Sequence, residues 1–147
     1  MEKHKVKTIV DDNPDLFDYG AKISESVFCS LFSIEIMNDD VFETTCADKT
    51  KQQIKRIIEN EELSKLSCFG VVLDIMHDNG KHIFKSGMSY VVALPSENEA
   101  IVERYVKKAT RATQKAKRLL DNSPYEDHDP VKKTNLKSLV YMMENRV

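Results

Sequence analysis

The residues best suited to chemistry lie between Arg104 and Arg118, where seven Lys and Arg residues occur without one acid. At 100° per residue on a helix, Arg104, Lys107, Lys108, Arg111, Lys115 and Arg118 form one stripe, beside a second carrying Ile101, Tyr105, Ala109, Ala112, Ala116 and Leu119. Such a stripe runs about 21 Å at 1.5 Å per residue, enough to meet several phosphates or an acidic protein ridge. The same arrangement, with Glu97, Glu99 and Glu103 at the start and bases toward the end, also complements the helix macrodipole and suits a solvated face. Tyr105 is the sole aromatic of the segment and falls on the apolar side, so base stacking on a single strand is not the chemistry expected.

Other reactive groups point less far. His77 and His82 flank Asp78-Asn79-Gly80-Lys81 and should be neighbours beside a hairpin tip. Two histidines and an acid can ligate a transition metal, but catalytic zinc usually takes three protein ligands, so a polar hairpin end and no metal are expected. His4 and His128 have no assignable partner. The acid pairs Asp11/Asp12, Asp39/Asp40, Glu61/Glu62 and Glu126/Asp127 fall at expected turns or element ends, where Asp and Asn bond locally. Cys29, Cys46 and Cys68 are odd in number and form no C-x-x-C pair, which fits reduced, mostly buried thiols. The chain lacks a Walker-type loop, a dinucleotide fingerprint, an H-E-x-x-H zinc motif and a nucleophile elbow, and holds only four glycines. An enzyme is therefore the weaker class; no catalytic residues, cofactor or metal are expected.

The elements that position the stripe follow from size and patterning. At 147 residues, with 41% hydrophobic and 31% charged residues, the chain fits a single globular domain, residues 1–147, rather than a disordered, fibrous or membrane protein. Lys and Arg number 22 against 24 Asp and Glu, a formal charge of −2, so any polyanion site must be local. The N-terminal MEKHKVK leads into no signal-like apolar region, and no window resembles a membrane span. A cytoplasmic protein with no membrane partner is expected.

Along the chain, His4 to Val10 reads as a short strand closed by a turn at 11–15. Ser26 to Met37 alternates, with Phe28, Phe32, Ile34 and Ile36 on one side, and reads as a strand; Val41 to Cys46 is a shorter one. Asp15 to Glu25 is ambiguous, because Leu16, Tyr19 and Ile23 fit a helix that Gly20 interrupts. Thr50 to about Leu63 is a helix, with a Thr50–Gln53 capping box. Cys68–His77 and His82–Leu94 read as a central hairpin about Asn79-Gly80, which sets Phe69 against Tyr90 and Asp74 against Lys85; Gly87 is a candidate bulge. Ser96 and Glu99 form a second capping box for a helix to Leu120, followed by a loop over 121–130. Thr134 to Met143 fits either a helix or a closing strand. The class expected is α+β: a mostly antiparallel sheet, a central hairpin and the long helix packed on one face. Phe69, Val71, Leu73, Ile75, Val91, Ala109, Ala112 and Ala116 are its expected inward residues.

From Cys68 to Asn122 the pieces CFGVVLDIM, HDNGKH, SYVVALP and SENEAIVERYVKKATRATQKAKRLLDN follow in an order that resembles small neck and tail-joining, tail-terminator-like proteins of tailed phages and phage-like elements. The resemblance covers a little over a third of the chain. That family generally closes with a further pair of strands, whereas this sequence reaches Val147 with KSLVYMMENRV. The resemblance implies a ring-forming subunit at the neck or tail end, without catalytic residues. Its partners would be further copies of itself and neighbouring neck and tail proteins, and its location the producing cell's cytoplasm and the virion. A basic stripe facing a ring lumen would touch DNA through phosphates without reading sequence. From the residues alone, the alternative is a small regulatory module that binds nucleic acid or an acidic protein through the basic helix.

Overall fold

A computed structural model describes residues 2–123 and 129–145. The chain divides into two compact units, residues 1–98 and 99–147. The expected α+β class holds: helices dominate, and three short strands form one antiparallel sheet.

The first unit opens with α1 (Lys3–Asp12), where a strand was expected. Val6 and Val10, one helical turn apart, are its buried residues, so the 3.6-residue period prevails over the apparent alternation. A 3-10 turn (Pro14–Phe17) follows, in keeping with the Asp-Asp-Asn-Pro-Asp turn signal, and β1 (Lys22–Ser24) resolves the ambiguous stretch as an edge strand. The expected strand from Ser26 is α2 (Glu25–Leu31), capped by the Ser24 hydroxyl accepting from the Val27 N–H. Phe28 and Phe32 satisfy i,i+4 as well as alternation, and both are fully buried. The expected strand 41–46 is α3 (Asp39–Cys46), whose first turn is fixed by Asn38 Oδ1 accepting from the Val41 N–H at 2.8 Å.

The Thr50–Gln53 capping box forms as expected, but the helix it starts, α4 (Lys51–Asp78), runs far past residue 63 and absorbs the expected strand 68–77. Lys65, Cys68, Val72, Ile75 and Met76 face inward at helical spacing, and Phe69, Val71 and Leu73 pack partly buried beside them. Asn79-Gly80 is thus the end of a helix rather than a hairpin turn. Asn79 is the C-cap, Gly80 adopts φ +71°, and the Lys81 N–H donates to the Met76 carbonyl at 2.8 Å, closing the last turn with a left-handed residue.

The hairpin instead lies within the expected second strand, as β2 (Ile83–Ser86) and β3 (Ser89–Val92). Ser86 pairs with Ser89, leaving a two-residue turn whose first residue, Gly87, has φ +60°; this is a type II′ turn and not a bulge. Lys85 therefore pairs with Tyr90 rather than Asp74. β3 is the central strand, with β1 on its other side setting Ile23 opposite Tyr90. Phe69 does meet Tyr90, from a helix and not across a sheet, with ring centroids 5.3 Å apart. Phe28 stacks on Tyr90 at 4.0 Å and lies 6.5 Å from Phe69. Of the expected inward residues in this unit, Ile75 is buried and Val91 half-buried.

The second capping box does not form at Ser96. A 3-10 turn (Pro95–Glu97) precedes α5 (Asn98–Asn122), and the Glu97 carboxylate accepts from the Leu94 N–H at 2.7 Å. α6 (Pro130–Glu144) resolves the final segment as a helix, with Asp129 capping the Val131 N–H. Ala109, Ala112 and Ala116 are exposed, contrary to expectation: a methyl group offers too little area to draw a helix face inward. Within the expected loop, Asp121 and Asn122 are helical, whereas Pro124, the Glu126/Asp127 pair and His128 lie outside the described residues.

Candidate interaction surface

All six stripe residues, Arg104, Lys107, Lys108, Arg111, Lys115 and Arg118, are exposed on α5, as the helical spacing requires. Lys107 reaches Glu103 at 3.4 Å, one turn back, and Lys117, outside the stripe, reaches Glu144 of α6 at 2.8 Å. Among the described residues, no carboxylate lies within ion-pair distance of Arg104, Lys108, Arg111, Lys115 or Arg118. A solvated helix usually interleaves acids at i±4 to relieve such repulsion. Here five like charges stand together over four turns.

The division of the chain sharpens this imbalance. Residues 1–98 carry 11 Lys and Arg against 17 Asp and Glu, a formal charge of −6, whereas residues 99–147 carry 11 against 7, a charge of +4. The near-neutral total conceals two opposed halves.

Val102 and Val106, on the face of α5 turned away from the basic stripe, and Tyr105 are about half exposed. α6 lines hollows together with the last turns of α5. Leu120 and Val140 line both hollows between the two helices, and Leu139, Met142 and Met143 remain largely exposed. The second unit thus exposes both charge and apolar area.

A feature invisible in the sequence lies on the first unit. Residues 32–37, which join α2 to α3, and the 57–68 stretch of α4 border an open groove of about 760 Å³, with Phe32, Ile34, Met37 and Ile57 as apolar walls and Glu35 at its rim. α3 follows this segment in the chain and opens with Asp39 and Asp40. None of Glu35, Asp39, Asp40 or Glu43 has an ion-pair partner among the described residues. The groove depends on α4 being one continuous helix, and that continuity is hidden by the apolar run at 68–76.

Glu61, in the lining of the groove, belongs to a buried ionic network. Lys65 Nζ lies 2.9 Å from Glu61, 3.3 Å from Glu62 and 3.3 Å from Glu25, and Glu25 also meets Lys85 at 3.4 Å. Burial pushes the Glu25 carboxyl up, but Lys65 and Lys85 outweigh it and hold the group below its ordinary value. Burial likewise opposes the charge of Lys65, and its three carboxylate partners overcome it, so the ammonium stays protonated. These groups are committed to one another and to holding α2, α4 and β2 together.

His77 and His82 are neighbours, as expected, with Nε2 and Nδ1 2.9 Å apart and rings nearly parallel. Asp78 beside them is engaged by Lys3 at 3.6 Å. Among the described residues, no three His, Cys, Asp or Glu side chains gather as a metal site. Cys29 and Cys68 are buried and Cys46 is half-buried; burial pushes the Cys68 thiol up to about 11, away from nucleophilic chemistry. No described helix is long and apolar enough to cross a membrane. In comparisons with protein families, curated proteins and solved structures, nothing matches this chain.

Proposed function

We propose that the chain is a non-enzymatic assembly subunit of a phage-like particle, a ring former at the neck or tail end. Its contacts are with further copies of itself and with neighbouring neck and tail proteins, through the exposed basic face of α5. The observation that carries this reading is the set of five basic side chains on α5 without acidic partners among the described residues, in a unit of charge +4 attached to one of −6. A surface of this kind recognises an acidic protein ridge by charge and sets the register of a repeated contact. A heterologous contact that closes by rotation makes a ring from one small subunit. Two of the pieces that carry the family resemblance keep their form: SYVVALP contains β3, and the segment from Ser96 to Asn122 contains α5. The piece CFGVVLDIM is helical and lends no support.

A second reading rests on the same side chains. The stripe extends over about 21 Å and meets the charge requirement for a run of phosphates, which favours a regulatory module that binds nucleic acid without reading its sequence. One variant separates the two. Lys108→Glu, Arg111→Glu and Lys115→Glu together should abolish oligomer formation in light scattering while circular dichroism stays unchanged. If the triple variant loses duplex binding and the parent is monomeric, the regulatory reading replaces the assembly reading. Unchanged assembly and unchanged duplex binding would make the stripe a solvated face.

A further inference from the structure

We infer that α5 and α6 pack face to face with α5 and α6 of a second copy of this chain, making a four-helix bundle about a two-fold axis. The contact uses the apolar stripe of α5 and not the basic one, so it stands apart from the assembly reading.

The two helices present two unlike sides, told apart by the hollows between them. One hollow is bordered by Lys117, Asp121, Lys137 and Glu144, with the Lys117–Glu144 ion pair at 2.8 Å across it. The other, of about 410 Å³, has Ala116 and Leu119 of α5 and Leu136 of α6 in its walls. At 100° per residue Ala112 falls beside Ala116 and Leu119, and Leu139 and Met143 fall on the same side of α6 as Leu136. All six are exposed. They make one apolar side, opposite the charged one.

Nothing within the unit covers that side. Among its described residues only Ile101, Thr113 and Lys133 are buried. α6 has 15 residues, and a helix of about that length is marginal in water unless an apolar face is packed. The side is also large enough to hold a pair. Its four large side chains are 41–72% exposed and with the two alanines offer about 550 Å² per copy, so a two-fold pair covers about 1,100 Å², above the roughly 1,000 Å² that a specific interface needs.

Shape selects a second copy as the occupant. The alanines stand on α5 and the bulky Leu139 and Met143 on α6, so a two-fold turn that lays α6 of one copy on α5 of the other sets large against small twice over. Alanines also let two helix axes approach to the short end of the usual 8–10 Å. An anionic bilayer is the competing occupant for a helix with adjoining basic and apolar stripes. Insertion favours bulky Leu, Phe or Trp, whereas Ala112 and Ala116 add little apolar area and suit close packing of helices.

The test uses the full chain with Leu119→Asp and Leu139→Asp together, and a conservative form with Leu119→Met and Leu139→Met. Sedimentation equilibrium should show the parent as dimers or even-numbered assemblies of them. Their association should hold or tighten as salt rises, because an apolar contact beside like charges gains from screening. The aspartate form should weaken the dimer on the order of a hundredfold, and the methionine form should pair like the parent. Both substituted positions are exposed within one copy, and urea unfolding serves as the folding control. A parent that stays monomeric at high salt and high concentration overturns the inference. So does a monomer that binds phosphatidylserine vesicles through Leu119 and Leu139. An association that the aspartate form keeps, and that Lys108→Glu, Arg111→Glu and Lys115→Glu together dissolve, overturns it as well and leaves the assembly reading standing.

Discussion

Replacing Lys65 by Met removes the hub of the buried ionic network and leaves its carboxylates in unequal circumstances. Glu61 and Glu62 can turn toward water, their side chains being 19% and 55% exposed, but the Glu25 side chain is only 9% exposed and cannot. Its remaining partner, Lys85 at 3.4 Å, is itself 43% exposed. Deleting one member of a buried pair costs about 3–5 kcal/mol when the survivor is left alone. Lys85 keeps part of that compensation, so Lys65→Met should cost about 2–3 kcal/mol, below the full penalty for a lone buried charge. Lys85→Met breaks only a half-solvated contact and should cost less than about 1 kcal/mol. Glu25→Gln leaves Lys65 with two carboxylates and should fall between the two. Because Glu25 and Lys65 touch, the double variant should be less destabilised than the sum of the singles, by about 1 kcal/mol. Urea unfolding followed by circular dichroism, with equal slopes checked across variants, gives the four free energies. Lys65→Met within about 0.5 kcal/mol of the parent would refute the argument. So would Lys85→Met as the costlier change, which would mean that the charge at Glu25 is supported from the sheet side.

Glu25 also sets an acid limit. Its folded value lies below the unfolded carboxylate value of about 4.3, so its contribution is complete above that pH and drains away as pH falls through the folded value; the stability gap between parent and Glu25→Gln should close there in acid titrations. Gly80→Ala should cost about 1 kcal/mol through the left-handed backbone alone, since an added Cβ would meet nothing nearer than the Tyr19 hydroxyl at 3.9 Å; a neutral result in thermal melts would show that the helix end rearranges cheaply. Phe28→Ala should cost about 3–5 kcal/mol because the ring is fully buried against Tyr90 and Phe32, and a cost under about 1 kcal/mol in urea would mean that the site collapses. A thiol reagent at mildly alkaline pH should modify Cys46 quickly and Cys29 and Cys68 only on unfolding; three fast thiols would contradict the packed core.

What the sequence determined by itself was local. The Thr50–Gln53 capping box needs only residues three apart, and it forms. α5 was legible because Pro95 breaks the preceding strand and a basic stripe then recurs at helical spacing; the apolar stripe beside it is exposed apart from Ile101. His77 and His82 were legible as neighbours, because a tight reversal at Asn79-Gly80 brings its flanks together whether it ends a helix or joins two strands. Periodicity failed where it carried no information. CFGVVLDIM is apolar almost throughout, so it fits a buried strand or a buried helix equally, and residues 28 to 36 satisfy i,i+2 and i,i+4 together. Only tertiary structure chose between these, by packing Cys68, Val72, Ile75 and Met76 and the Phe28–Tyr90 stack into one core. The Lys65 network and the groove were decided at the same level. Lys65 meets Glu25 across a long stretch of chain, and Lys85 meets that carboxylate 60 residues away, so neither contact has a local signal. Burial makes those pairings strong, and burial is a property of the assembled core rather than of any segment.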